Sequence, residues 1–194
     1  MKSIQLILVL TLLACNSFAQ KIIARVTMET SSEKRNEIVY RKGTKLELSD
    51  FQGPEEPNMN AVAMAYSGIS LRYSGSMQKG LIVLNIKMYC SFDKSRSWCL
   101  PGSRNERTLA HEQRHFDITA LSACDLYREL QQYTFTKNFE REIAELQRKY
   151  REQNEAEQDR YDKEANHGIN TEEQEQWNQK ITKSIDNCTD CYQH

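Results

Sequence analysis

Residues 109–130 read LAHEQRHFDITALSACDLYREL, and this stretch carries two stripes of side chains at helical spacing. One stripe is mostly apolar and consists of Leu109, Phe116, Ala120, Ala123, Tyr127 and Leu130. The other lies on nearly the opposite side and consists of His111, His115, Ile118 and Ser122. A helix with contacts on both sides is usually central in a fold. We therefore expect this helix to pack under a sheet on one side and to face a second helix on the other.

The segments after this stretch also predict helices. Ser103-Arg104-Asn105-Glu106 fits a capping box with Ser103 as the N-cap of the central helix, which then runs to about Leu130. A long polar helix is predicted over roughly residues 137–167, and a short last helix begins near Thr171.

The segments before it predict strands. Residues 20–102 are mainly strands and turns, and Leu81–Tyr89 is the clearest strand. If that strand is an edge, it can pair with an extended peptide. The predicted fold class is α+β, a small antiparallel or mixed sheet packed on the central helix, with residues 103–194 mainly helical.

The N-terminus predicts export. Residues 1–19 read as a signal peptide, because a short positive start precedes an apolar run too short to form a stable membrane anchor, and Ser17-Phe18-Ala19 fits a cleavage site. A second interpretation is a lipobox in which Cys15 is lipidated. Both place a single domain, residues 20–194, in the periplasm or outside the cell, with a membrane as partner only if Cys15 carries lipid. The net charge of −1 gives no reason to expect a nucleic-acid partner.

The pentad His111-Glu112-Gln113-Arg114-His115 fits the pattern H-E-x-x-H. Residues i and i+4 of a helix lie on the same face, so two imidazoles so placed can bind one zinc ion. The adjacent Glu112 then lies beside the metal, where it can act as the general base toward a water molecule. This pattern predicts one Zn²⁺ as the cofactor.

A catalytic zinc site needs a third protein ligand, which must come from a later element. His167 is the leading candidate and Glu164, three residues earlier, is the rival. Asp162 ranks third because it projects away from their face on an ideal helix, and His194 is a residue of the tail. Tyr161 is predicted to donate a hydrogen bond to the oxyanion.

The cysteines agree with export, since an oxidising compartment favours disulfides. Cys90 and Cys99 flank a polar loop, so they are predicted to close a hairpin. Cys124 is predicted to pair with Cys188 or Cys191, which would hold the tail against the motif helix.

The sequence resembles the bacterial domain-of-unknown-function 922 family. The resemblance rests on Leu109–Ile118, on Tyr161-Asp162-x-Glu164-x-x-His167-Gly168, on Tyr66–Ile69 and on the loop Phe92–Trp98. Arg114 and Ala165 depart from the family, in which a small residue and a threonine often stand at those places. The resemblance implies a secreted, zinc-dependent, zincin-like protease.

The predicted function is therefore that of a zinc metallopeptidase acting on a peptide or protein substrate. Two alternatives remain open: a zinc-binding envelope adaptor without catalytic activity, and a zinc amidase acting on cell-wall peptides.

Overall fold

The computed structural model describes residues 21–56 and 61–192. The predicted signal peptide over residues 1–19, the lipid attachment at Cys15 and the tail residue His194 lie outside these ranges, so they stay predictions. No helix in the described part of the chain is long and apolar enough to cross a membrane.

The described strands all precede residue 103 and form two sheets. They are β1 (Ile22–Met28), β2 (Glu37–Val39), β3 (Ala63–Met64), β4 (Ser67–Gln78), β5 (Leu81–Asp93) and β6 (Trp98–Cys99). In the larger sheet, β5 pairs with β4 along almost its whole length, antiparallel, from Ser67 opposite Phe92 to Gln78 opposite Leu81. On its other side β5 pairs first with β1, in parallel, and then with β2, antiparallel. The smaller sheet pairs β3 with β6.

The strand β5 is therefore the interior strand of the larger sheet. The suggestion that Leu81–Tyr89 is an edge that pairs with a peptide is wrong, because both of its sides are already occupied by strands. Its alternating apolar residues explain this position. Leu84, Ile86, Met88 and Phe92 are fully buried against the rest of the fold.

Within the described residues four helices follow: α1 (Glu106–Gln132), α2 (Phe139–Ala165), α3 (Thr171–Asp186) and α4 (Thr189–Tyr192). The N-cap of α1 is Asn105, whose side chain accepts from the backbone N–H of Thr108, so the prediction of Ser103 as N-cap is wrong. Ser103 belongs instead to a short 3₁₀ turn that precedes the helix.

The helix α1 lies between the sheet and the other helices, as its two stripes predict. Phe116, Ala120 and Ala123 join the main apolar cluster with the strands, whereas Ile118 joins a second cluster with Tyr161 and residues of α3. The predicted α+β class, with a mixed sheet on a central helix, is confirmed.

The cysteines are paired only in part as predicted. Cys124 on α1 is bonded to Cys191 on α4, one of the two partners predicted for it. Cys90, Cys99 and Cys188 are buried free thiols, so the predicted bridge between Cys90 and Cys99 is wrong. The reason is topological: Cys90 lies opposite Ile69 in the larger sheet, whereas Cys99 lies opposite Ala63 in the smaller one.

Candidate metal centre

Three side chains from two helices converge where α1 crosses α2. His111 and His115, one turn apart on α1, bring their Nε2 atoms to within 3.1 Å of each other. The Oδ1 atom of Asp162 on α2 lies 3.0 Å from each of these nitrogens. The three atoms thus form a nearly equilateral triangle, and they are one of the groups of donors close enough to hold a single ion.

The geometry and chemistry of this triangle fit a divalent metal. Two ligands about 2.0–2.1 Å from a tetrahedral zinc lie about 3.3 Å apart, close to the separations observed here. Two imidazole nitrogens and one carboxylate oxygen are a suitable donor set, and three protein ligands leave a fourth position for water or substrate.

The outer nitrogens of both rings meet side-chain amides. The Nδ1 atom of His111 lies 3.1 Å from Oε1 of Gln174 on α3, and the Nδ1 atom of His115 lies 2.6 Å from Oε1 of Gln158 on α2. Both rings are therefore held at their far side by partners that leave Nε2 directed at Asp162.

The charges of the triangle are strongly coupled. Burial lowers the pKa of His115, but its hydrogen bond to Asp162 and the negative charges of Glu112 and Asp162 outweigh burial and raise that pKa to about 9. Burial raises the pKa of Asp162, but hydrogen bonds from His111 and His115 outweigh it and hold that pKa well below its usual range. In the metal-free protein a proton is thus held where a metal ion would bind.

Glu112 is buried beside the triangle without belonging to it. Its residue is only 5% exposed, and burial raises the pKa of its carboxyl, opposed by the charges of His115 and His111. The backbone N–H of Ala65 is close enough to the carboxylate to lower that pKa slightly. A carboxylate that is fixed and more basic than usual suits the role of general base.

The two residues predicted as third ligand lie elsewhere. Glu164 turns to α3, where its Oε2 accepts from the indole N–H of Trp177 at 2.9 Å. His167 lies past the end of α2, with a side chain 62% exposed and its Nδ1 atom 3.5 Å from Oδ1 of Asp162. The structure places Asp162, ranked third from the sequence, in the position that they were predicted to fill.

Two features explain why helical spacing misplaced this ligand. The helix α2 packs against both α1 and α3, so Asp162 can face α1 while Glu164 faces α3. The helix also ends before His167, because Asn166, His167 and Gly168 all have positive φ values, of 47°, 51° and 76°. The direction of the His167 side chain therefore cannot be predicted by extending an ideal helix through that residue.

The turn at the end of α2 is held against α1. Arg107 donates from its guanidinium to the carbonyl oxygen of Gly168, with the Nε contact at 2.8 Å. A Cβ at Gly168 would lie 3.3 Å from the side chain of His111, so glycine allows both the left-handed backbone and the close approach. This contact fixes where His167 stands relative to the triangle.

Tyr161 does not occupy the position predicted for an oxyanion donor. Its residue is fully buried, and its ring stacks on that of His111 at 4.7 Å between centroids. Its hydroxyl lies 2.9 Å from Oε1 of Gln174 and 3.3 Å from the carbonyl oxygen of His111. Tyr161 thus supports the first histidine from behind, since no part of it faces solvent.

Sequence reasoning ranked Asp162 only third as a ligand and did not consider Gln158 and Gln174 as partners of the histidines. One signal was present: Gln158 and Asp162 are four residues apart on α2, so they share a face. No comparable signal pointed to Gln174, because α3 approaches the site only through the tertiary packing of α3 on α1 and α2.

Part of the sequence matches the model of a known protein family. The sequence model of a family described as bacterial protein of unknown function (DUF922) matches residues 95–168, which include the pentad, Asp162 and His167. The resemblance inferred from the sequence is confirmed over these residues. No curated protein and no solved structure matches the chain.

Proposed function

With the DUF922 assignment confirmed over residues 95–168, we propose that this protein is an exported zinc-dependent peptidase. The proposal replaces the predicted ligand set by His111, His115 and Asp162. It is supported above all by the convergence of these three donor atoms within 3.1 Å, beside a buried glutamate that is not a member of the group.

The chain supplies the ligands and the base. Zinc, when bound, acidifies a water molecule and polarises a carbonyl group. Glu112 accepts the water proton on its carboxylate and passes it to the leaving amine. Export, predicted from residues 1–19, is part of the proposal and is consistent with the buried disulfide between Cys124 and Cys191.

A peptide is the proposed substrate class because extended backbone borders Glu112. The carbonyl oxygen of Val62 accepts a hydrogen bond from the N–H of Leu100, and the N–H of Tyr66 donates to the hydroxyl of Ser97. Ala65 lies between them, and its N–H is close enough to Glu112 to lower the pKa of that carboxyl. Extended backbone of this kind binds extended peptides through main-chain hydrogen bonds.

The proposal is tested on the purified full chain with two measurements. Metal analysis is expected to give one zinc per chain, and an unfolded, disulfide-free protein substrate is expected to be cleaved, with cleavage stopped by a chelator. Glu112→Gln is expected to keep the zinc and to lower the cleavage rate by about 10²–10⁴-fold, the usual contribution of a general base.

The matched control is Glu106→Gln, an exposed glutamate in the first turn of the same helix, which is expected to cleave at the wild-type rate. Iron in place of zinc would overturn the proposal, because two histidines and one carboxylate also hold iron(II) in oxygenases. Zinc without cleavage of any peptide would favour the adaptor. Cleavage of cell-wall peptides alone would favour the amidase.

A further inference from the structure

The orientation of the Gln158 amide follows from a neighbouring group that can only accept a hydrogen bond. Its Nε2 atom lies 3.0 Å from the backbone carbonyl oxygen of His115, which can only accept. The NH₂ group of Gln158 must therefore be at that end, and the oxygen must face Nδ1 of His115 at 2.6 Å. Because an amide oxygen only accepts, Nδ1 of His115 carries a hydrogen.

The orientation of the Gln174 amide follows from a longer chain of contacts. The Nε atom of Arg114, which can only donate, lies 2.8 Å from Oδ1 of Asn178, so that atom is an acceptor. The Nε2 atom of Gln174 donates to the same oxygen at 3.1 Å. The oxygen of Gln174 then faces Nδ1 of His111 at 3.1 Å, which must carry a hydrogen as well.

These two assignments fix the state of the inner nitrogens. A neutral histidine has one N–H, so each neutral ring with hydrogen on Nδ1 presents a lone pair at Nε2. Two such lone pairs and a carboxylate oxygen face each other within about 3 Å, which is unfavourable unless a cation lies among them.

We infer that Gln158 and Gln174 are positioning residues of the metal centre, which hold both histidines in the tautomer that binds metal through Nε2. This inference rests on the proposed metal binding but not on peptide hydrolysis. By this inference α3 contributes to the site through Gln174 and Asn178, although it lies beyond the matched residues 95–168. The inference also gives Arg114 a role, since Arg114 sets the amide orientation of Asn178.

Amides differ from the carboxylates that often hold metal-binding histidines. An amide orients the ring without adding negative charge, so Asp162 remains the only anion among the ligands and their direct partners. Replacing either amide by an apolar side chain should therefore lose the orientation.

The first test uses the wild-type chain and needs no variant. Histidine ¹⁵N spectra of the zinc-loaded protein are expected to show metal on Nε2 and hydrogen on Nδ1 for both His111 and His115. Metal on Nδ1 of either ring would overturn the inference. A chain that binds no zinc would instead show that the proposed function has failed, so the two failures are distinguishable.

The second test measures zinc affinity by competition with a chelator. Gln158→Met and Gln174→Met keep the side-chain length but lack the acceptor, and each is expected to weaken zinc binding about 10–100-fold. Gln179→Met, at an exposed position of α3, is the control and is expected to change nothing. Wild-type affinity in both Met variants would overturn the inference.

Discussion

The helix α1 carries a buried polar cluster on each of two sides, and the two clusters differ in one respect. On one side the Asp117 carboxylate accepts from the hydroxyl of Tyr40 at 3.1 Å, from Nε2 of Gln113 at 3.0 Å and from the guanidinium of Arg114 at 2.8 Å. Each of these donors meets an acceptor. On the other side the Nε2 atoms of His111 and His115 meet the carboxylate of Asp162, so acceptors face acceptors when both rings are neutral with hydrogen on Nδ1.

The difference separates a structural cluster from a functional one. Both clusters are mostly buried, although the Asp162 side chain is 30% exposed. Each is centred on a carboxylate, and each involves residues of the same pentad. Burial and polarity alone therefore do not identify the site. The Asp117 cluster is complete by itself, whereas the Asp162 cluster needs a proton or a metal ion to be complete.

The largest expected effect is on metal binding. Asp162→Ala should weaken zinc binding about 1,000-fold, because structural zinc sites bind with about 10–16 kcal/mol in total and the loss of one of three protein ligands removes roughly a third of that. Isothermal titration or chelator competition measures the change. His167→Ala is the matched control, expected to bind zinc within about threefold of wild type. If the control loses as much as Asp162→Ala, His167 is a ligand and the comparison fails.

The next effect concerns the fold rather than the site. The disulfide between Cys124 and Cys191 joins two residues that are 67 positions apart in the sequence. Both cysteines lie in the apolar cluster on the sheet side of α1. Cys124→Ala with Cys191→Ala should lower the free energy of unfolding by about 3 kcal/mol. Urea unfolding of the metal-free protein measures this. Zinc affinity of the folded variant should stay within about threefold of wild type, and a larger loss would show that the two sides of α1 are not separable.

A smaller loss of stability is expected from the complete cluster. Asp117→Ala leaves the donors of Tyr40, Gln113 and Arg114 without their shared acceptor, which should cost about 2 kcal/mol of unfolding free energy. The control is Asp125→Ala on the same helix, whose carboxylate is 64% exposed and lies 3.9 Å from Arg128. Its removal should change stability by less than about 0.5 kcal/mol. Equal stability of the two variants would contradict the structural role of the Asp117 cluster.

The last expected effect is a dependence of zinc affinity on pH. The pKa of His115 is raised from 6.5 to about 9 in the metal-free protein. The stability that its proton contributes is present below pH 6.5 and is lost as the pH rises through about 9. Zinc must displace this proton, so zinc affinity should rise about tenfold per pH unit between these values and level off above them. Chelator competition across this range checks the slope, and an affinity independent of pH would mean that no proton is displaced.

Local patterns in the sequence were enough for the fold class and for half of the site. Two side-chain stripes at helical spacing predict that α1 is buried on both sides, because the period of a helix is a local property. The same period places His111 and His115 together and Glu112 beside them. The match to the family model covers residues 95–168 and therefore stops short of α3.

Only the tertiary structure decided which residues complete the metal site and which cysteines are bonded to each other. Asp162 rather than His167 faces the two imidazoles because α2 packs against two helices and ends in left-handed residues, and neither feature has a period in the sequence. Gln174 reaches His111 from 63 residues away through the packing of α3. Cys90 and Cys99 stay apart because their strands join different sheets. Contacts between distant segments depend on which faces are buried against each other, and that is settled by packing the whole chain at once.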